Sequence, residues 1–180
     1  MENNNQSKKG NYWTFFAMIG TSMVLMFFLT YLNSFLILDH ARFSETRLFM
    51  TLLMGSVMAV VMLGFMRKMY QNKLANIAIV LGAVVLFVSS LFLVRSQRTV
   101  SGLSYLRAMI PHHSIAILTS DRSQIVDTRV RELADEIIIA QRREIKEMEW
   151  LIEDIRENGY ATTEVEAEQR PLPDFEGSLD

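Results

Sequence analysis

The chain has 180 residues, of which 50% are apolar and 21% charged, with a net charge of −2. It contains no cysteine, which excludes disulfides, thiolate metal sites and a cysteine nucleophile and suits an oxidising compartment. Disordered, collagen-like and disulfide-rich classes are excluded, and no global basic field points to nucleic acid. Apolar and charged residues coexist at these levels only when they are segregated along the chain.

The segregation is visible in the charge map. Residues 10–38, 48–66 and 74–94 carry no Asp, Glu, Lys or Arg. A helix needs roughly 20 apolar residues to cross a bilayer core, and backbone in lipid must satisfy its own hydrogen bonds. The spacing therefore predicts three spans, Tyr12–Leu32, Leu48–Met66 and Leu74–Val94, with Tyr12, Trp13, Tyr31 and Tyr70 at their ends as interfacial aromatics. The first apolar stretch is longer than the ~7–15 residues of a signal-peptide core, so it reads as an uncleaved anchor. Lys8, Lys9, Arg67, Lys68 and Lys73 outnumber Arg42 and Arg47 of the first loop, which Asp39 and Glu45 balance. Positive charge in short loops marks the cytoplasmic side. Residues 1–11 are then cytoplasmic, residues 12–94 form a three-span domain in the plasma (inner) membrane, and the C-terminal half is extracytoplasmic.

Within the second span, Met50, Met54, Met58, Met62 and Met66 recur every fourth residue. A thioether track would suit Cu(I). Steps of four drift about 40° around a helix, however, so the series wraps and reads better as adaptable packing. Gly55-x-x-x-Ala59 and Ala78-x-x-x-Gly82 are small-residue pairs of the kind that let helices approach.

Residues 95–157 mix ten Lys/Arg and eleven Asp/Glu with periodic apolar positions. Leu103, Leu106, Ile110, His113 and Ile117 mark one helix. Val130, Leu133, Ala134, Ile137, Ile138, Ile145, Met148, Leu151, Ile152 and Ile155 mark a second, with Asp127 as N-cap and Gly159 as stop. The short connection predicts an antiparallel hairpin. Residues 158–180 are acidic, aperiodic and punctuated by Pro171, Pro173 and Gly177, which predicts a disordered tail. The expected fold is thus all-α: three transmembrane helices followed by an extracytoplasmic antiparallel helical hairpin.

Polar residues interrupt the apolar rows of that hairpin. Steps of seven place Glu144 in the row of Val130, Ile137 and Leu151, and Gln141 in the row of Ala134, Met148 and Ile155. Folding the chain about residue 126 brings His113 level with residue 139, His112 with 140 and Met109 with 143, within about one helical turn. Met109, His112 and His113 then face Gln141 and Glu144, with Met148 one turn away. Two imidazoles, a thioether and a carboxylate form a credible metal shell; thioether plus imidazole favours copper, whereas imidazole plus carboxylate suits zinc or iron. The plainer alternative is a polar core in which the histidines hydrogen-bond Gln141 and Glu144. Pro111 either kinks the first helix or starts it at N1, where the helix dipole would keep the histidines neutral.

Met109-Ile110-Pro111-His112-His113 followed by Ala116-Ile117, together with Leu133-Ala134, Ile137, Gln141, Glu144-Ile145, Met148 and Trp150-Leu151, resembles the DUF305 family over about residues 101–156. The resemblance implies a hairpin that is half of a ferritin-like four-helix bundle. It also implies copper binding, as in some members, through Met109, His112, His113 and Met148, with Glu144 alongside and Gln141 in a supporting position. One residue departs from the pattern: Thr119 stands where many members have a methionine. Because only one helical pair is present, a homodimer is expected to complete the bundle. A membrane-anchored metal-binding protein is the expected function, serving copper resistance, storage or delivery, with His40 of the first loop as a further candidate ligand. A structural oligomerisation module is the alternative. An oxidase would need more carboxylates than one inward glutamate, so no enzyme activity is expected, and transport through spans without ionisable residues is disfavoured.

Overall fold

A computed structural model describes residues 11–32, 34–36 and 39–179. The N-terminal stretch expected to be cytoplasmic lies, apart from Asn11, outside them. The described residues are helical, without strands: α1 (Tyr12–Leu29), α2 (Glu45–Phe65), α3 (Lys73–Ser96), α4 (Gly102–Arg122), α5 (Thr128–Asn158) and α6 (Glu164–Gln169). Helices α1, α2 and α3 are long and apolar enough to cross a membrane. Residues 30–32 leave the first helix, since Thr30 is its C-cap, and α3 runs on through Arg95.

The chain forms two compact units. The first joins the residues up to Thr30 with Thr46–Thr99. Its core is Phe15, Ile19, Leu63 and Tyr70, against which Met58, Met62 and Met66 pack. Met50 and Met54 of the same series are 41% and 39% exposed, so the methionines divide between packing and surface as the drift of a four-residue repeat requires. Tyr70 is buried, its ring 5.0 Å from that of Tyr12, and the Tyr12 hydroxyl donates to Asn76 Oδ1 (2.8 Å). Trp13, by contrast, is 79% exposed. Of the two small-residue pairs, Gly55 lies against the Met23 side chain, where a Cβ would collide with it, whereas nothing lies within 4 Å of a Cβ built at Gly82.

The second unit joins residues 31–45 with the chain from Val100 onward. The α1–α2 loop therefore belongs with the C-terminal helices and not with the three-span segment to which charge spacing assigned it. Helix α5 starts at Asp127, whose side chain accepts from Arg129 N, and ends at Gly159 with φ 77°, as the sequence predicts. Ile110 and Ile117 of α4 form a core with Ile138, Ile145, Met148 and Ile152 of α5. The contacts run in opposite chain order: Arg131 donates to the carbonyl of Ser120, His113 meets Glu144, and Tyr160 Oη accepts from Leu103 N. The α5 stripe is narrower than its sequence pattern, since Val130 and Leu133 are 49% and 55% exposed.

The loop docks through a residue the sequence pattern passes over. Ser114 is fully buried; its Oγ accepts the Phe35 N–H at 2.7 Å and lies 2.8 Å from His40 Nδ1. Phe35 packs on the isoleucine core and beneath the Arg142 guanidinium, 5.6 Å from the ring centroid. Burial holds the His40 imidazole below its ordinary value, against the opposing pull of Glu149 and Asp39.

The acidic tail is not structureless. Helix α6 carries a capping box between Thr163 and Glu166. Arg170 pairs with Asp154 at 2.8 Å, both side chains largely buried. Lys146 and Arg142 donate to the carbonyls of Glu176 and Ser178. Between those carbonyls, Gly177 sits so close to Ile139 that a Cβ would fall inside contact distance of its carbonyl oxygen. Composition alone misses these anchors because each is a single long-range contact.

Two outcomes are expected. The unfolded chain protonates His40 near pH 6.5, while the folded chain resists doing so. Stability supported by neutral His40 is thus complete above that pH and lost as pH falls through and below it. Unfolding followed by Trp150 fluorescence in a Trp13→Phe background should show this loss, and His40→Asn should reduce it, leaving the part that His113 contributes. Gly177→Ala should release the tail, read as faster proteolysis after residue 170 with α5 helicity unchanged.

Candidate metal centre

Helix α4 runs unbroken through Pro111, which is buried within it. The missing N–H leaves the carbonyl one turn earlier without its usual partner, but the helix neither restarts nor ends there. His112 and His113 are therefore mid-helix residues, and the dipole argument for a first-turn position does not apply. Consecutive helical residues diverge by about 100°. Accordingly His112 is exposed, His113 is half-buried, and their ring centroids stand 6.2 Å apart in a tilted arrangement.

His113 is the residue that meets α5. Its Nδ1 lies 3.0 Å from Glu144 Oε2, with the side chains 14% and 37% exposed. The backbone of His113 is expected level with residue 139, yet its side chain meets residue 144. Cβ atoms lean toward the N-terminus of their own helix. In helices that meet in opposite chain order, the two leans converge, so His113 reaches toward higher α5 numbers and Glu144 toward lower ones. Nδ1 is a buried nitrogen whose contact on α5 is that carboxylate. Burial lowers the basicity of His113, Glu144 opposes that shift, and His112 reinforces it. An imidazole nitrogen and a carboxylate oxygen held 3.0 Å apart are two donor groups of the kind that hold a cation.

The remaining candidates divide. Met148 is a buried member of the α4–α5 core and Met109 packs against that core; along their helices Met109 lies one turn from His113 and Met148 one turn from Glu144. Gln141 is half-buried. Thr119, exposed, turns its hydroxyl back to the carbonyls of Ile115 and Ala116. Among the described residues no group of three or more His, Cys, Asp or Glu converges to hold a metal ion. His40 is committed to Ser114 through Nδ1 and lines a separate cleft with Arg142, Lys146 and Glu149. Sequence reasoning missed Ser114, although its spacing is legible: it lies at i+4 from Ile110 and i−3 from Ile117, squarely within the buried row.

These observations define an all-helical protein with three helices of membrane-crossing length and a C-terminal helical pair bearing a histidine–carboxylate contact. The chain belongs to the DUF305 family: residues 102–174 match the model described as "Domain of unknown function (DUF305)". The match extends past α5 to include α6 and Arg170, beyond the segment recognisable by eye. The chain is also similar to "Uncharacterized protein L153" of Acanthamoeba polyphaga mimivirus, 32% identical over 108 residues that cover 59% of this chain and 69% of that protein. No solved structure matches.

If Glu144 is what sustains the basicity of His113 against burial, Glu144→Gln should lower the His113 pKa further. NMR titration of the imidazole resonances reads this directly; an unchanged or raised value would contradict the assignment.

Proposed function

We propose that this is a membrane-anchored metal-binding protein that handles copper at the outer face of the plasma membrane, for resistance, storage or delivery. The observation that carries the reading is the buried His113 Nδ1 held 3.0 Å from the Glu144 carboxylate. Buried polar atoms are ordinarily satisfied, and a coordinated cation is one way to satisfy this one. Imidazole and thioether suit copper, particularly Cu(I), with Met109 and Met148 one helical turn from His113 and Glu144 as the thioether candidates, while zinc and iron remain compatible with the imidazole–carboxylate part. The metal is cargo in this reading, and no catalytic step is assigned.

Anchoring rests on the exposed apolar walls of the first three helices. Val24, Phe65, Leu81 and Val85 are 57%, 89%, 61% and 64% exposed, which is untenable in water and ordinary in lipid. Lys and Arg bias then favours a cytoplasmic N-terminus and an extracytoplasmic C-terminal unit. In this reading α4 and α5 are an antiparallel hairpin, half of a ferritin-like four-helix bundle that a second copy completes. The alternative is an oligomerisation module whose His113–Glu144 contact only fixes register. The lack of a convergent triad among the described residues favours it.

A competition titration of the full chain in detergent micelles separates the two. Saturable Cu(I) binding, weakened at least tenfold by His113→Ala with oligomeric state retained, is expected of a metal handler. Equal binding by wild type and variant would leave the structural module.

A further inference from the structure

The connection between α2 and α3 is basic and has no acidic counterpart. It carries Arg67, Lys68 and Lys73, and no Asp or Glu occurs between Glu45 and Asp121. None of the three cations pairs with a carboxylate among the described residues. Lys73 is also the first residue of α3, where the positive end of the helix dipole repels a cation. The connection is pinned in place. The Asn72 N–H donates to the Tyr12 hydroxyl at 3.2 Å, that hydroxyl donates to Asn76 Oδ1 at 2.8 Å, and Asn76 Nδ2 donates to the Tyr70 carbonyl at 2.8 Å. Like charges are thus held together at one end of two apolar helices.

An apolar groove adjoins this charge. α2 and α3 enclose about 560 Å³ between Leu63 and Gly64 on one side and Ile77 and Leu81 on the other. Arg67, just past the end of α2, and Lys73, at the start of α3, line the same cavity at its loop end. Gly64 keeps it open, since nothing lies within 4 Å of a Cβ built there. A volume of this order suits a ligand. Its two ends ask for different chemistry, an anion beside the cations and hydrocarbon along the walls. Free phosphate would leave the walls uncovered, and a neutral lipid would leave the cations uncompensated.

We propose that the α2–α3 groove binds an anionic phospholipid, its phosphate held by Arg67 and Lys73 and an acyl chain lying along Leu63, Ile77 and Leu81. The inference rests on the membrane anchoring of the first three helices and is independent of the metal-binding reading. Guanidinium and ammonium groups both suit phosphate oxygens. Basic pockets between transmembrane helices at the cytoplasmic face are a general mode of anionic headgroup recognition, and the Lys and Arg bias favours that side for this connection.

The test purifies the full chain in a neutral detergent, offers equimolar phosphatidylcholine and phosphatidylglycerol, and reads the retained lipid by native mass spectrometry. Preferential retention of phosphatidylglycerol is expected, unchanged by inorganic phosphate at matched ionic strength. Arg67→Gln with Lys73→Gln should lower the preference by about fivefold for each cation removed. Gly64→Leu projects a side chain into the groove without changing charge, and it should lower phosphatidylglycerol retention with helicity by circular dichroism kept. Four results would overturn the site: equal retention of both lipids by the wild type, displacement by inorganic phosphate, a preference that survives the double substitution, or retention that survives Gly64→Leu. The wild-type preference decides the matter even if a variant fails to fold. Flotation with vesicles after alkaline extraction tests anchoring separately. A chain that floats without preferring phosphatidylglycerol loses the lipid site alone, whereas a chain that is extracted loses the anchoring as well.

Discussion

The isoleucine seam between α4 and α5 is the constraint on which the second unit depends. Ile110 and Ile117 on one helix and Ile138, Ile145 and Ile152 on the other are nearly fully buried. At about 1.5–3 kcal/mol for burying such a side chain, the seam far outweighs the His113–Glu144 contact, a partly exposed pair of the kind worth at most about 1 kcal/mol. The histidine and glutamate do not hold the helices together. The seam holds them, and by fixing the rotation of each helix it decides that His113 faces Glu144 while His112 faces away.

The same rotation accounts for the use of polar residues elsewhere in the unit. Ser114, one step beyond His113, turns to the opposite flank, where a backbone N–H and an imidazole meet its hydroxyl. Two adjacent positions on α4 thus serve different ends. His113 meets the Glu144 carboxylate of α5, and Ser114 meets the loop.

Much of this was legible in the residues. Charge-free stretches foretold α1, α2 and α3, because apolar length is a one-dimensional property. Asp127 and Gly159 foretold the ends of α5, because caps act locally. Rows of seven put Glu144 on the side of α5 where it meets His113, although His112 turns away. What escaped depended on distant contacts. Whether Pro111 lay within α4 or began it depended on packing: Ile110 and Ile117 on either side are buried, and that burial offsets one lost hydrogen bond. The tail could not be read as ordered without Asp154, Lys146 and Ile139 to receive it. The loop could not be assigned to the second unit without Ser114, roughly 75 residues away in sequence.

That last attachment bears on how far the family segment is a module. Residues 102–174 carry the DUF305 match, yet the hydroxyl at the heart of α4 is satisfied by Phe35 and His40, which precede α2 and α3 in the chain. Excised at the boundaries of the match, the segment would expose Ser114 and one face of the isoleucine core to solvent. During synthesis the loop emerges first and must wait for two apolar helices to be made before the surface it docks on exists. The C-terminal unit is therefore assembled from chain on both sides of α2 and α3, and neither sequence piece can be transplanted as a complete fold.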